Sequence, residues 1–241
     1  MKKVFINALG RILLVLGIFL AIRFLSKEIT GLVSGWIANN YNIEFSYESS
    51  LYKLFMVLLS IIIMLVIPGY TLKDFGFRKP EKVKYFKIIW LTFVVVIGGM
   101  IVFGSLCMGL LNNIFGDVEE PLAGMGGDQS FLTIVFSIWL WSSITEEIYT
   151  RGLFQSLLDK LKNYRFLRLS LPVWLSGIAF GLLHISIYEP GRLFFTMFIV
   201  TQAIALGLLA AHYREKSRSL YPAIMVHILG NIYGSVMQFI G

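Results

Sequence analysis

The chain has 241 residues, 57% of them hydrophobic and only 15% charged, whereas soluble domains carry roughly 25% charged residues. This excludes a water-soluble globular enzyme and points to an integral membrane protein of a single domain over 1–241. The formal charge of +7 does not indicate a nucleic-acid partner, because the Lys and Arg residues cluster in short stretches between apolar runs. The single cysteine, Cys107, lies inside an apolar run, which rules out a disulfide framework and a CxxC metal site.

A spanning helix needs about 20 mostly apolar residues, and seven stretches qualify. The first, 5–25, follows the lysines of "MKKVFINALG" and so imitates a signal peptide. It has no small-x-small cleavage site after its apolar core and reads as a retained first helix. "TGLVSGWIANN" (30–40) is too short to cross and is expected at the interface, with an eighth or re-entrant segment near 30–50 left open. The remaining spans are 51–70, 86–111, 131–155, 170–188, 193–212 and 220–240. The fold class is therefore all-α, a polytopic helical bundle, with 1–129 as N-terminal helices and 130–241 as the part that carries the chemistry.

The connecting segments alternate in charge. Segment 71–85 holds Lys73, Arg78, Lys79, Lys82 and Lys84; 156–169 holds Lys160, Lys162, Arg165 and Arg168; 213–219 holds Arg214, Lys216 and Arg218. Segment 112–130 has no Lys or Arg, and 26–50 and 189–192 have one each. The positive-inside rule then places the N-terminus inside and the C-terminus outside. The glycines of "PLAGMGGDQS" mark an external loop and make no phosphate-binding motif.

Polar residues inside these spans need a reason, because an ionised side chain at the bilayer centre costs at least about 2.5–3.5 kcal/mol. In the fourth span, "SSITEEIYTR" sets Glu147 four residues before Arg151, the favourable orientation for an ion pair on one helix face. Glu146 points roughly 100° away from that pair, free to aim elsewhere. In the fifth span, Gly177 and Gly181 form a small-xxx-small strip that lets another helix approach. His184 lies on that face, with Phe180 one turn before it to pack on the imidazole. In the seventh, His227 and Asn231 share a face with Gly234, and Gly230 and Gly234 form a second such strip. Gln202 and His212, in the sixth, read as interhelical glue and as an interfacial residue.

A carboxylate, two imidazoles and a carboxamide are the parts for activating water and stabilising an oxyanion. No Ser or Cys arrangement competes as a nucleophile. The segments "EEIYTR", "FGLLH" and "HILGN" occur in the order of the EExxxR, FxxxH and HxxxN motifs, so that residues 130–241 resemble the CPBP (CAAX protease and bacteriocin-processing, or Abi) family of intramembrane endopeptidases. The resemblance implies Glu146 as the base that activates water, His184 as its partner, His227 and Asn231 as the oxyanion site, and Glu147 with Arg151 as the supporting pair. It implies a membrane-associated or hydrophobic peptide or protein as substrate and no cofactor, while the small size, short loops and lack of an organellar retention signal point to a multi-pass protein of a bacterial plasma membrane. Counted along the helices, His184 falls nearer the outer end of its span than Glu146. The two meet only if the fourth helix runs on through about Leu158 or the fifth tilts or starts late.

Two other readings stay open. One is a zinc-dependent intramembrane protease with Glu146, His184 and His227 as ligands, although no HExxH is present. The other is a non-catalytic membrane scaffold or immunity protein acting on a membrane protein partner.

Overall fold

The computed structural model describes residues 2–41, 48–102, 110, 113–114, 130–188 and 193–240. Most of them lie in seven helices: α1 (Lys2–Tyr41), α2 (Glu48–Val66), α3 (Tyr85–Gly99), α4 (Phe131–Gln155), α5 (Leu171–Leu183), α6 (Leu193–Ser217) and α7 (Tyr221–Ile240). Five of these, α1 to α4 and α6, are long and apolar enough to cross a membrane, and α5 begins a shorter apolar helical stretch, Leu171–Ser186. Large apolar side chains such as Leu14, Phe24, Ile62, Phe86 and Phe136 point outward, as they must where the solvent is hydrocarbon. The helical bundle expected from the hydropathy pattern is therefore what forms. Most of the external loop expected at 112–130, and the end of the third span with Cys107, lie outside the described residues.

Two boundaries differ from the sequence reading. Residues 30–40 are no separate interfacial piece, since α1 continues unbroken to Tyr41. Nothing between 25 and 30 breaks a helix, and the polar positions there are satisfied locally: Thr30 donates to the Ser26 carbonyl at 2.7 Å. With 40 residues at about 1.5 Å each, α1 is about 60 Å long, twice the hydrocarbon thickness. In the same way α6 runs past 212 to Ser217, so that Arg214 lies on the helix and is buried rather than in a solvated loop.

Arg214 there ties together three segments that are far apart in the chain. It donates to the Asp74 carbonyl at 2.9 Å and to Ser156 Oγ at 2.5 Å, and reaches Asp159 Oδ2 at 3.4 Å. The segment after α2 is docked on the α6–α7 junction by Leu220 N–H to Gly76 O, 3.0 Å, and Glu81 N–H to Ser217 O, 3.0 Å. Between α4 and α5 a short hairpin pairs β1 (Arg165–Phe166) with β2 (Leu169–Ser170). Its two turn residues, Leu167 and Arg168, both have positive φ, as the tight turns of two-residue hairpins require. Ser170 then caps α5 by accepting from Val173 N–H, with Pro172 in the first turn, where its missing N–H is harmless.

One apolar core joins α1, α2 and α4, with Phe19 stacked on Tyr149 at 4.2 Å and Phe154 beside them. A second joins α3, α6 and α7 around Ile88, Ala210, Tyr213 and Val226. Between them α5 and α6 pack backbone to backbone. A Cβ at Gly181 would lie 2.9 Å from Ile204 N and Val200 O, and one at Gly207 would lie 2.9 Å from Gly177 O. The glycine strip expected on α5 is thus used. On α7 the close approach is at Gly230, where a Cβ would lie 2.9 Å from the Leu206 side chain of α6, whereas Gly234 has nothing within 4 Å among the described residues.

Candidate active site

The two adjacent glutamates come from an unusual piece of helix. Within α4, the turns Ile134–Ser142 and Ile148–Gln155 are π-helical, and Ser143–Glu147 between them is α-helical. Wide turns of this kind occur at functional sites, and here they bracket the pair. Glu147 faces the bundle and Glu146 faces an opening, with side-chain exposures of 1% and 15%.

Glu147 belongs to a sealed cluster. Its Oε1 accepts from Arg151 Nη1 at 2.7 Å. The same guanidinium donates to Thr150 Oγ1 at 2.7 Å and to the Gly207 carbonyl at 2.9 Å, and its carbon lies 4.4 Å over the Phe180 ring. Oε1 also accepts from His227 Nδ1 at 3.1 Å. A carboxylate only accepts, so Nδ1 carries a proton, and Nε2 is turned outward. That Nε2 is 4.0 Å from Glu146 Oε2. His227 therefore bridges the buried glutamate and the open one.

Glu146 has a different set of partners. Its Oε1 accepts from Ser142 Oγ at 2.7 Å and pairs with Lys53 Nζ at 2.9 Å, while Lys53 also donates to Ser142 Oγ at 2.5 Å. Glu146, His184, His227 and Asn231 all line one cavity of about 390 Å³ that reaches out past Tyr52 and Arg23. Helical turns carry α4 on to Leu157, and His184 opens a 3₁₀ turn at the end of α5. The difference in depth counted along the sequence thus does not keep Glu146 and His184 apart. His184 Nδ1 donates to the Phe180 carbonyl at 3.0 Å, which leaves Nε2 as an acceptor. Phe180 packs edge-on to both imidazoles, 5.0 Å from His184 and 5.1 Å from His227. Asn231 uses both amide hydrogens within the protein, donating to Ile138 O at 3.1 Å and Ser143 Oγ at 3.0 Å.

All seven residues singled out in the sequence, Phe180 included, therefore meet around this cavity or directly behind it. Gln202 does hold two helices together, donating to Val96 O at 3.3 Å. Sequence reasoning missed Lys53, Ser142, Tyr52 and Arg23. Lys53 carried a signal of its own, a lone cation inside the apolar run "SLYKLFMVLL", which at membrane depth is a functional-site hypothesis by default. Among the described residues no group of three or more His, Cys, Asp or Glu side chains is placed to hold a metal ion.

Residues 128–233 match the family model described as type II CAAX prenyl endopeptidase Rce1-like. The matched stretch contains every motif residue from Glu146 to Asn231 and bears out the resemblance carried by "EEIYTR", "FGLLH" and "HILGN". It supports a protease role in a multi-pass membrane protein. No curated protein and no solved structure matches the chain.

Proposed function

We propose that the chain is an intramembrane endopeptidase of the Rce1-like kind that hydrolyses a peptide bond of a hydrophobic or membrane-associated substrate by a glutamic, metal-free mechanism. The observation that carries the reading is the unequal treatment of the two glutamates: one is locked by Arg151 inside the protein, and the other is presented to a cavity between two imidazoles.

In this mechanism Glu146 Oε2 takes a proton from water, with His184 Nε2 accepting the other O–H and aiming the oxygen. The hydroxide so formed adds to the scissile carbonyl. The proton passes from Glu146 across to His227 Nε2, and the resulting imidazolium, held by Glu147 at Nδ1, donates to the oxyanion. Lys53 has a third N–H for the same oxygen. Asn231 joins once one of its two internal hydrogen bonds is exchanged. His227 then hands its proton to the departing amine, the C–N bond breaks, and a carboxylic acid and an amine leave. Losing one such donor typically lowers the rate about 100- to 1,000-fold.

The test compares membrane and secreted peptides from cells carrying wild type, Glu146→Gln or no protein at matched expression. A processed terminus present only with wild type, formed equally in the presence of strong chelators, is the expected result. If Glu146→Gln processes as wild type does, the catalytic reading fails and the non-catalytic scaffold replaces it. Loss of processing on chelation would instead favour the zinc reading with Glu146, His184 and His227.

A further inference from the structure

The opening that reaches Glu146 continues beyond it. A second hollow of about 610 Å³ shares Arg23, Ser49, Tyr52 and Ser186 with the catalytic cavity and runs on past Lys27 to Gly31. The two adjoin at these four residues, and together they make a channel-like opening between α1, the start of α2 and the end of α5. Those ends lie away from the basic segments 71–85 and 156–169, which follow α2 and precede α5.

Two cations line the channel. Arg23 and Lys27 stand four residues apart on α1 and so on one face of it. Arg23 is half-buried with its guanidinium against the Tyr52 hydroxyl, and Lys27 is exposed at the mouth. Their situation differs from that of three paired cations within the bundle. Lys53 holds Glu146 at 2.9 Å, Arg151 holds Glu147 at 2.7 Å and Arg214 holds Asp159 at 3.4 Å. Among the described residues no carboxylate lies within ion-pair distance of Arg23 or Lys27. A cation at membrane depth without a counter-charge is costly to keep, and a guanidinium presents a planar fork that fits two carboxylate oxygens at once.

Resting on the protease reading above, we infer that Arg23 and Lys27 anchor a carboxylate of the substrate peptide in the outer channel while Glu146 acts on a bond in the inner cavity. Because the channel is continuous with the catalytic cavity, one peptide can occupy both. The carboxylate is either the peptide's C-terminus or an Asp or Glu side chain, and the assay separates the two.

The full chain carrying Glu146→Gln, which binds without cleaving, is reconstituted in nanodiscs. It is titrated with fluorophore-labelled hydrophobic peptides in three forms: free C-terminal acid, C-terminal amide, and amide with one internal Asp. Charge-assisted hydrogen bonds of this kind make binding of a carboxylate form about 10- to 100-fold tighter than the plain amide. Adding Arg23→Gln removes that ratio and Arg23→Lys, which keeps the charge but not the fork, keeps part of it, the second variant guarding against misfolding. Preference for the free acid identifies the C-terminus as the source, and preference for the internal Asp identifies the side chain. Equal binding of all three forms overturns the proposal, as does a preference that Arg23→Gln leaves intact. If the acid preference is present but the wild-type chain cleaves nothing, the anchor stands and the protease reading falls, so the two failures are distinguishable.

Discussion

Replacing Glu147 by Gln, and separately Glu146 by Gln, removes one charge from each of two neighbouring residues with opposite expected results. Glu147→Gln leaves the Arg151 guanidinium, with 0% side-chain exposure, without its counter-charge. Thr150, Gly207 and the Phe180 ring remain to it. Breaking a buried pair from one side costs about 3–5 kcal/mol. At about 2–4 °C per kcal/mol for a chain of this size, Tm should fall by about 6–20 °C. Glu146→Gln gives up a pair that is still partly open, at 21% and 15% exposure, and a Gln oxygen continues to accept from Ser142 and Lys53. The cost there is about 1 kcal/mol or less, yet turnover should drop about 10²- to 10⁴-fold with the loss of a general base. Thermal unfolding of the purified chain in detergent, read beside peptide processing, measures both. Changing Glu147→Leu together with Arg151→Met removes both charges and should recover much of the lost Tm. Equal Tm losses for the two Gln variants, or an active Glu146→Gln, would refute the division of labour.

A methyl group introduced by Gly207→Ala would stand 2.9 Å from Gly177 O and 3.0 Å from Arg151 Nη2. The overpacking should cost about 1–3 kcal/mol, read as a lowered Tm with the α5–α6 contact most affected in hydrogen exchange. Arg214→Met breaks the ties to Asp74, Ser156 and Asp159, so trypsin should cut the basic segment 71–85 faster than in wild type while processing persists. Asp74 is held below the usual carboxylate range first by the Thr71 hydroxyl and then by the Thr71 backbone N–H, which donate to it at 2.7 Å. A depressed folded value means that the stability is present above the unfolded carboxyl range, near pH 4, and is lost as pH falls through the lower folded value. Asp74 is exposed, so the effect is small. Tm measured from pH 5 downward should fall slightly more steeply for wild type than for Asp74→Asn, and an identical slope would remove this assignment.

How much of this was legible in the sequence depended on distance along the chain. The Glu147–Arg151 pair, the Phe180–His184 contact and the shared face of His227 and Asn231 all lie within a turn or so of one helix, where the 3.6-residue period settles who faces whom. That His227 would bridge both glutamates was not legible, because it depends on how α7 lies against α4, 80 residues away. Lys53 arrives from α2, 89 residues before Ser142, and no local periodicity aims it. Asn231 was assigned with His227 to the oxyanion site, but the carbonyl that engages it, Ile138, belongs to a π-helical stretch that hydropathy does not reveal. The ends of α1 and α6 were drawn too short for another reason. An apolar count measures hydrocarbon thickness, whereas a helix ends only where its backbone is capped or broken.

The charges gathered at the cavity also bear on the electrical setting of the membrane. Glu146 and Glu147 against Lys53 and Arg151 sum to zero within a few ångströms. A transmembrane voltage does work of about 2.3 kcal/mol per 100 mV on each net charge that moves through it, and a neutral quartet moving as a body gives it nothing to act on. Among the described residues Arg23 and Lys27 have no such counterpart, so on the proposed reading voltage sensitivity in energised vesicles would arise in the outer channel rather than at Glu146.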